Sequence, residues 1–471
     1  MKSKVVILLL LFTLILSKNL QSPNKKLNDY SDVLRLINQT VSNNSNFTSA
    51  SYNRLAYVVD TFGPRLWGSE NLQAAIDYMN QTMHVEGFDN PRLELVPDIP
   101  HWVRGEEHLT LLSPHPTPTK VPMIGLGQSL GGNVTGEVIV VTSYEDLDSK
   151  KDLVNGKIVL FNYNWTSYGK GVSFRVSGAS RAARYNATGC LIRSVTPVSI
   201  ASPHTGSLYY DNKYPKIPAA AISVEDADMF SRMQKRGQKI VVNLYMEARY
   251  LNNTNSYNVV GELRGSTYPD EIILLGGHID SWDTGPQTGA NDDGGGFMTC
   301  FEAVRVLIKL GLRPKRTIRF IAWSGEEFGV SASGGYAYMR THQNEMDKHV
   351  VAFESDIGST DIYGFAFNGG NKGFQIIKTI GQMYFGEYGA DLVTYGNAEN
   401  SDNEPLFNNY QIPQMRNLIR DTEDDRYYFT YHHSAGDSMS IMNPFEMDRN
   451  VALIAGMMYI IADLPGPIPR D

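Results

Sequence analysis

Apolar runs of two kinds alternate along the C-terminal half of the chain, and this rhythm most restricts the folds open to it. After Asn258, short β-branched runs that read as strands are each followed by a turn and a longer run with helical spacing. The runs are EIILLGGH, FMTCFEAVRVLIKL, TIRFIAWSG, GGYAYMRTHQNEM, HVVAFESD, KGFQIIKTIGQMYF and ADLVTY. Such alternation predicts a doubly wound α/β domain with a mainly parallel sheet. In a sheet of this kind the ligand site lies beyond the carboxyl ends of the strands.

The middle of the chain follows a different rhythm. It consists of short β-branched runs such as GEVIVVT and GKIVLFN, with one stretch of small residues suited to a close-packed helix. We predict that residues 108–247 form a mostly β module, inserted into a first domain that comprises residues 45–107 and 248–471. A chain of 471 residues is long enough for two such folded units.

The N-terminus carries the pattern of a signal peptide over residues 1–19. Lys2 and Lys4 precede an apolar run that is shorter than the roughly 20 residues needed to span a membrane, and a signal anchor is the alternative. We therefore expect no membrane span and a secreted protein that passes through the ER and Golgi, with the lysosome as a further destination. Residues 20–44 are polar and Asn-rich, which predicts a removable pro-segment that offers little to a core, with a mobile extension as the alternative.

Three counts narrow the class of protein further. The formal net charge of −8 argues against a nucleic-acid binder, which normally presents a basic face. Cys190 and Cys300 are the only cysteines, so no disulfide framework holds the chain together, and buried free thiols are favoured over a pair. Secretion also predicts glycosylation, for which the sequons are Asn38, Asn43, Asn46, Asn80, Asn133, Asn164, Asn186 and Asn252.

Polar side chains follow the predicted strands at the points where the strands end. His278 ends EIILLGGH, and Asp280 would share its face if the strand continued, so that this carboxylate could orient the imidazole. Asp292 and Asp293 stand among glycines at the entry to the next helix, where they could approach a metal ion. Alone, each pattern has an ordinary alternative: a hydrogen-bonded histidine for the first, and a turn that caps the helix for the second.

The next strand ends supply more groups of the same type. Glu326 and Glu327 are adjacent carboxylates after an apolar strand, and their repulsion is hard to explain without a compensating cation. Asp356 follows HVVAFES, and His432 and His433 stand in YHHSAGDS just before a helical tail. Histidine and carboxylate side chains gathered at successive strand ends of one sheet predict a metal site.

The motifs GGHIDSW, GANDDGGG, SGEEFG, ESDIGS and YHHSAGDS, in this order and with this spacing, resemble those of the co-catalytic zinc aminopeptidase and glutamate carboxypeptidase family. The resemblance covers nearly the whole chain, and it implies that the insert is of the protease-associated type. It also implies two Zn2+ ions per chain and a homodimer. The metal ligands implied by position are His278, Asp292, Glu327, Asp356 and His433.

The resemblance also implies a role for each group. His278 and Asp356 would hold one zinc, Glu327 and His433 the other, and Asp292 would bridge them. Glu326 would be the general base, and Asp280 would orient His278. His433 is preferred over His432 because Asp437 follows it by four residues, as in the family motif. Tyr431 and His432 are the candidates for contacts with the substrate or its oxyanion.

These inferences predict a secreted di-zinc metallo-exopeptidase that hydrolyses short peptides, and by resemblance unblocked dipeptides, through a metal-bridging water. An aminopeptidase of the same family is one alternative. A catalytically inactive, receptor-like binding ectodomain is another, but the complete set of ligands and base favours an enzyme. Arginines between Arg416 and Tyr431 could recognise a substrate carboxylate or could form surface ion pairs with neighbouring acids.

Overall fold

The computed structural model describes residues 30–329, 331–398, 402–420 and 427–470. The predicted signal peptide lies outside these ranges, as do residues 20–29. The strands within the ranges are β1 (Asp89–Ile99), β2 (Trp102–Val103), β3 (Glu107–Ser113), β4 (Thr119–Val121), β5 (Met123–Gly125), β6 (Gly132–Val141), β7 (Ile158–Phe161), β8 (Gly189–Arg193), β9 (Ala219–Ile222), β10 (Val241–Met246), β11 (Arg249–Tyr250), β12 (Thr254–Leu263), β13 (Tyr268–His278), β14 (Arg316–Trp323), β15 (His349–Glu354), β16 (Ile362–Asn368), β17 (Leu392–Tyr395) and β18 (Gln414–Ile419). The α-helices are α1 (Tyr30–Asn43), α2 (Ala50–Phe62), α3 (Glu70–Glu86), α4 (Tyr144–Ser149), α5 (Tyr168–Ala183), α6 (Val224–Lys235), α7 (Gly295–Leu310), α8 (Gly334–Thr341), α9 (Asn371–Tyr384), α10 (Glu404–Tyr410), α11 (Tyr428–Tyr431) and α12 (Pro444–Asp463).

The first sheet has the strand order β1-β12-β14-β13-β15-β18-β16-β17. Its centre, from β14 through β13 and β15 to β18, is parallel. Towards the edges, β12 runs antiparallel to β14, and β16 runs antiparallel to β18. The predicted mainly parallel sheet is therefore present at the centre, whereas the sheet as a whole is mixed. Antiparallel neighbours need no crossover helix, so loops alone can add strands at the edges.

The parallel register brings the ends of the central strands to one edge of the sheet. His278, the last residue of β13, lies opposite Trp323, the last residue of β14. Glu354, the last residue of β15, lies opposite Gly276. The central strands are buried on both faces, with α7 and α12 packed against β13. The polar residues that follow these strands must therefore meet beyond the same edge.

The second sheet is built from the segment predicted as the insert. Its order is β4-β3-β10-β6-β7-β8-β9-β5, and β6 through β9 are parallel to one another. Helix α4 connects β6 to β7, α5 connects β7 to β8, and α6 follows β9; α5 and α6 pack on the parallel part. The predicted mostly β module therefore contains more helix than expected, because two of the three connections between its parallel strands are helical. The short apolar runs indicated the strands, while the small-residue helix α5 was the one visible sign of the α/β pattern.

Part of the predicted pro-segment belongs to the core. Helix α1 buries Val33, Leu34, Ile37 and Val41, which recur at helical spacing, and it packs against α12. The expectation that this polar segment offers little to a core is therefore wrong for residues 30–43. The reason is that these four apolar residues share one face of the helix, whereas Leu36 is exposed.

Two further expectations concern cysteines and the membrane. Cys190 and Cys300 are both buried and free, which confirms the preference for free thiols over a pair. In the described part of the chain, we find no helix whose length and apolar character would allow it to cross a membrane.

Candidate metal centre

His278 is completely buried at the end of β13, and main-chain contacts fix its ring. Its backbone N–H donates to Asp293 Oδ2 at 3.0 Å, and its Nδ1 lies 3.0 Å from the carbonyl oxygen of Asp280. The first contact requires Gly277, because a Cβ at that position would lie 2.1 Å from Asp293 Oδ2. When Nδ1 donates to a carbonyl, Nε2 keeps the lone pair that a metal ion requires.

Asp292 lies between two groups of site residues. Its Oδ1 is 3.3 Å from His278 Nε2, which is also 3.4 Å from Asp356 Oδ1. Its Oδ2 is 3.4 Å from His433 Nε2, which in turn is 2.9 Å from Glu327 Oε2. Each group offers one imidazole and one carboxylate, and the two groups share the carboxylate of Asp292. The structure thus brings together the five residues that the sequence analysis predicted as metal ligands.

The burial and charge of this cluster fit divalent cations. His278 Nε2 and Asp292 Oδ2 are buried, and neither has a hydrogen-bond partner within the described residues. Burial raises the pKa of Glu327 well above its usual value, and the charge of Asp292 raises it further. Burial also raises the pKa of Asp356. Bound cations would reduce the electrostatic repulsion among these carboxylates. A set of imidazole and carboxylate ligands is suited to zinc and does not exclude manganese or cobalt.

The neighbouring side chains of His432 and His433 differ in what they contact. Their rings stack with centroids 3.5 Å apart, and His432 Nε2 is 3.3 Å from Asp292 Oδ2. The distance to Asp292 therefore does not separate His432 from His433, but the 2.9 Å contact to Glu327 belongs to His433. Burial lowers the pKa of both imidazoles well below the usual value, which favours the neutral form that binds metals. The geometry supports His433 as the ligand and leaves His432 beside it.

Asp280 supports the site, but not in the predicted way. Its main-chain carbonyl meets His278 Nδ1, whereas its nearer carboxylate oxygen is 3.8 Å from that nitrogen. The carboxylate instead accepts hydrogen bonds from the backbone N–H groups of Gly325 (2.7 Å), Glu326 (3.3 Å) and Glu327 (3.3 Å). The expected sharing of one face fails because β13 ends at His278 and the extended spacing does not continue. Asp280 therefore holds the turn that presents the two glutamates.

Asp437 holds the loop that carries Asp292. Its Oδ1 accepts from the backbone N–H of Asn291 at 2.7 Å, and its Oδ2 accepts from the backbone N–H of Asp292 at 3.2 Å. The sequence analysis used Asp437 only to choose between the two histidines. Its position in the structure indicates a second role, in placing the shared carboxylate.

Arg65 is a buried cation under the site that the sequence analysis missed. Its Nε donates to the carbonyl of Ile279 at 2.7 Å, and its Nη2 donates to the carbonyl of Gly289 at 2.8 Å. Burial lowers the pKa of Arg65 to about 10, although the carboxylates of Asp437 and Asp280 oppose this change. Arg65 thus joins the loops after β13 and partly balances the buried acids. No local pattern marks this role, because its partners lie more than 200 residues away.

The adjacent glutamates face different surroundings. The side chain of Glu327 is 3% exposed and points to His433, whereas that of Glu326 is 18% exposed and has its Oε2 3.9 Å from His278 Nε2. Gly325 makes the turn before them at φ 93°, and a Cβ there would lie 2.3 Å from the ring of Trp67. Both glutamates line the cavity, but Glu326 is the more accessible to a substrate.

A cavity of about 690 Å³ opens in front of the cluster. One wall comes from the insert, through Tyr168, Arg175, Ser207 and Tyr209. The residues that line the rest of the cavity are Tyr363, Arg416, Leu418, Ile419, Tyr427, Tyr428 and Phe429. The insert thus closes the site from one side.

Of the two predicted candidates for substrate contacts, His432 lines the cavity and Tyr431 does not. Tyr428 also lines the cavity, and its hydroxyl helps to lower the pKa of Asp292. Arg416 also lines the cavity, while Arg420 is 60% exposed and lies 3.3 Å from Asp361 Oδ2. Of the two alternatives for these arginines, Arg420 therefore fits the surface ion pair and Arg416 fits recognition of a substrate.

Comparisons with known proteins agree with this geometry. Residues 258–458 match the model of peptidase family M28. Carboxypeptidase Q of Mus musculus is 41% identical over 448 residues, which cover 94% of this chain and 92% of that protein. A peptidase M28 precursor from Shewanella amazonensis has a solved structure that matches with a TM-score of 0.85 at 30% identity, covering 93% of this chain and 98% of that one. A zinc aminopeptidase from Bacillus subtilis shares the fold with a TM-score of 0.64 at 19% identity, covering 89% and 98%.

Proposed function

The chain belongs to the carboxypeptidase Q family within peptidase family M28 and is a zinc metallopeptidase, and we propose that it hydrolyses unblocked dipeptides. The observation that carries the proposal is the position of Asp292 between two imidazole and carboxylate pairs at the base of one cavity. By that geometry, His278 and Asp356 would hold one zinc ion, Glu327 and His433 would hold the second, and Asp292 would contact both.

When bound, the two zinc ions would polarise the scissile carbonyl and lower the pKa of a water molecule. Glu326 is the proposed general base, since its carboxylate faces the cavity and is more exposed than that of Glu327. Glu326 takes a proton from the attacking water and returns it to the nitrogen of the leaving amine as the C–N bond breaks. The products are one carboxylate and one free amine, and Glu326 ends in its starting form.

The lining of the cavity supports a substrate with a free carboxylate. Arg175 of the insert and Arg416 of β18 both line it, and a guanidinium binds a carboxylate well because its N–H groups match the two oxygens. We propose Arg416 as the contact for the carboxyl terminus of the substrate. Arg416 lies close enough to Asp356 for its charge to oppose the burial that raises the pKa of that carboxyl. A volume of about 690 Å³ is suited to a short peptide rather than to a folded protein.

An assay with free, amino-blocked and carboxyl-blocked forms of one dipeptide tests this function. A carboxypeptidase should cleave the free form and lose activity when the carboxylate is converted to an amide. Cleavage of the carboxyl-blocked form together with failure on the amino-blocked form would establish the alternative, an aminopeptidase. Arg416→Gln should raise KM for the free dipeptide, and Arg420→Gln serves as the matched control because Arg420 pairs with Asp361 at the surface.

The proposal extends to the cellular form of the enzyme. We propose that it is secreted after removal of residues 1–19, glycosylated at its sequons, trimmed within the part of residues 20–44 that precedes α1, and dimeric, and that its insert is of the protease-associated type. The eight sequon asparagines support glycosylation, since none of them is buried. Mass spectrometry of the secreted protein before and after glycosidase treatment would identify the mature N-terminus and the modified sites.

A further inference from the structure

One short segment of the insert, residues 204–209, touches both loops that carry the ligands of the proposed second zinc. We call this segment the insert clasp. Its Thr205 is completely buried and pairs with His433 through the main chain. The Thr205 N–H donates to the His433 carbonyl at 2.9 Å, and the Thr205 carbonyl lies 3.3 Å from His433 Nδ1. When Nδ1 donates to the Thr205 carbonyl, the lone pair of His433 is on Nε2, the nitrogen nearest Glu327; Arg175 Nη1 also lies 3.5 Å from Nδ1.

The insert clasp also holds the loop of Glu327. Ser207 Oγ donates to the main-chain carbonyl of Glu327 at 2.9 Å. The hydroxyl of Tyr209 lies 2.9 Å and 2.8 Å from the carbonyl oxygens of Phe328 and Gly329. These contacts hold the backbone that follows the Glu327 side chain, from the carbonyl of Glu327 to that of Gly329, while the backbone N–H of Glu327 is held by Asp280 of the first domain.

The clasp is itself fixed to the second sheet, so it follows the position of the insert. Thr205 Oγ1 donates to the carbonyl of Gly125 at 2.7 Å, and the backbone N–H of His204 donates to Ser194 Oγ at 2.9 Å. Gly125 ends β5, and Ser194 follows β8. A shift of the insert would therefore move the clasp and the two loops together.

His278 of the proposed first zinc is held differently. In the described ranges, its hydrogen bonds run to Asp293 and to the carbonyl of Asp280, both of which belong to the first domain. The loop of the shared Asp292 is likewise held from the first domain, by Asp437. The loops of His278 and Asp292 are thus held within the first domain, while the loops of Glu327 and His433 bond to the insert as well.

We propose that the insert clasp positions the second zinc site, so that affinity for the second zinc, but not for the first, depends on the insert. This inference rests on the proposed two-metal function. Groups that orient metal ligands typically change metal affinity by roughly 10- to 100-fold when they are removed. The clasp residues are positioning residues, since they act through Glu327 and His433.

The test uses the full-length protein with Ser207→Ala and Tyr209→Phe combined, and Tyr210→Phe as the matched control. Among the described residues, the Tyr210 hydroxyl bonds only within the insert: it donates to the carbonyl of Ile217 at 2.6 Å, accepts from the N–H of Leu130 at 3.2 Å and lies 3.3 Å from Ser129 Oγ. Zinc per chain is measured during competition with a chelator of known affinity. We expect the double variant to bind one zinc as the wild type does and the other about 10-fold more weakly, while Tyr210→Phe keeps both affinities. Excess zinc should restore the activity of the double variant.

Other outcomes are distinguishable. If the double variant bound both zinc ions equally more weakly, or bound both as the wild type does, the role of the clasp would be overturned while the two-metal proposal stands. Activity that excess zinc does not restore, with zinc binding unchanged, would also overturn it and would point to a contact with the peptide instead. A wild-type chain that binds fewer than two zinc ions would overturn the two-metal proposal and the inference with it.

Discussion

Replacing Glu326 by Gln should nearly abolish turnover while both zinc ions remain bound. Glutamine keeps the size of the side chain but cannot accept the proton of the attacking water. A general base contributes roughly 10² to 10⁴-fold, which corresponds to about 2.7 to 5.4 kcal/mol in the activation free energy. Zinc should stay because Glu326 is the partly exposed member of the pair and faces the cavity, while the buried Glu327 contacts His433 at 2.9 Å.

Glu327→Gln is the matched comparison, since it makes the same chemical change one residue further along the chain. A neutral amide is a poor zinc ligand, so this variant should lose about one zinc per chain together with activity. Zinc content by mass spectrometry and dipeptide turnover should be measured for both variants at several zinc concentrations. If Glu326→Gln loses zinc while Glu327→Gln retains both ions, the two roles have been assigned the wrong way round.

Three further predictions concern stability. Leu34→Ala in α1 should lower the free energy of unfolding by roughly 2 to 5 kcal/mol, because Leu34 is completely buried. Thermal unfolding measures this change, and a smaller decrease in stability would show that α1 is dispensable. His342 lies 2.7 Å from Glu345, and neighbouring carboxylates raise the pKa of this imidazole although burial opposes the change. The protonated His342 therefore stabilises the fold fully at low pH, and this stabilisation is lost as pH rises through the raised pKa. His342→Gln should therefore destabilise the protein strongly near about pH 5.5 and little near about pH 9, as measured by urea unfolding. Arg65→Met should cost roughly 3 to 5 kcal/mol, since it leaves the buried Asp437 without its cation, and an unchanged urea midpoint would contradict this.

The predictions for the fold succeeded where a short stretch of sequence carries the signal. The strands β13, β14 and β15 were visible as apolar runs, and their parallel order followed from the helices between them. Of the three α-helices of the insert, only α5 was anticipated, and the packing of α1 was not. Composition suggested a β-rich insert and a polar pro-segment. The spacing of a few apolar residues, rather than their number, determined how these segments pack.

The sequence by itself determined which residues could bind metal. His278 ends an apolar strand, Glu327 and Asp356 come within four residues of the ends of two others, and parallel strands of one sheet end at the same edge. Residue type and position at a strand end are properties of windows of fewer than about ten residues, so they can be recognised without a structure.

The tertiary structure alone decided several contacts of the site. It placed Tyr428 rather than Tyr431 at the cavity, and it moved the carboxylate of Asp280 from His278 to the glutamate turn. These choices depend on backbone angles in loops, which are set by contacts between residues far apart in the chain. The contact between Thr205 and His433 joins positions 228 residues apart, and no local pattern in the sequence records it.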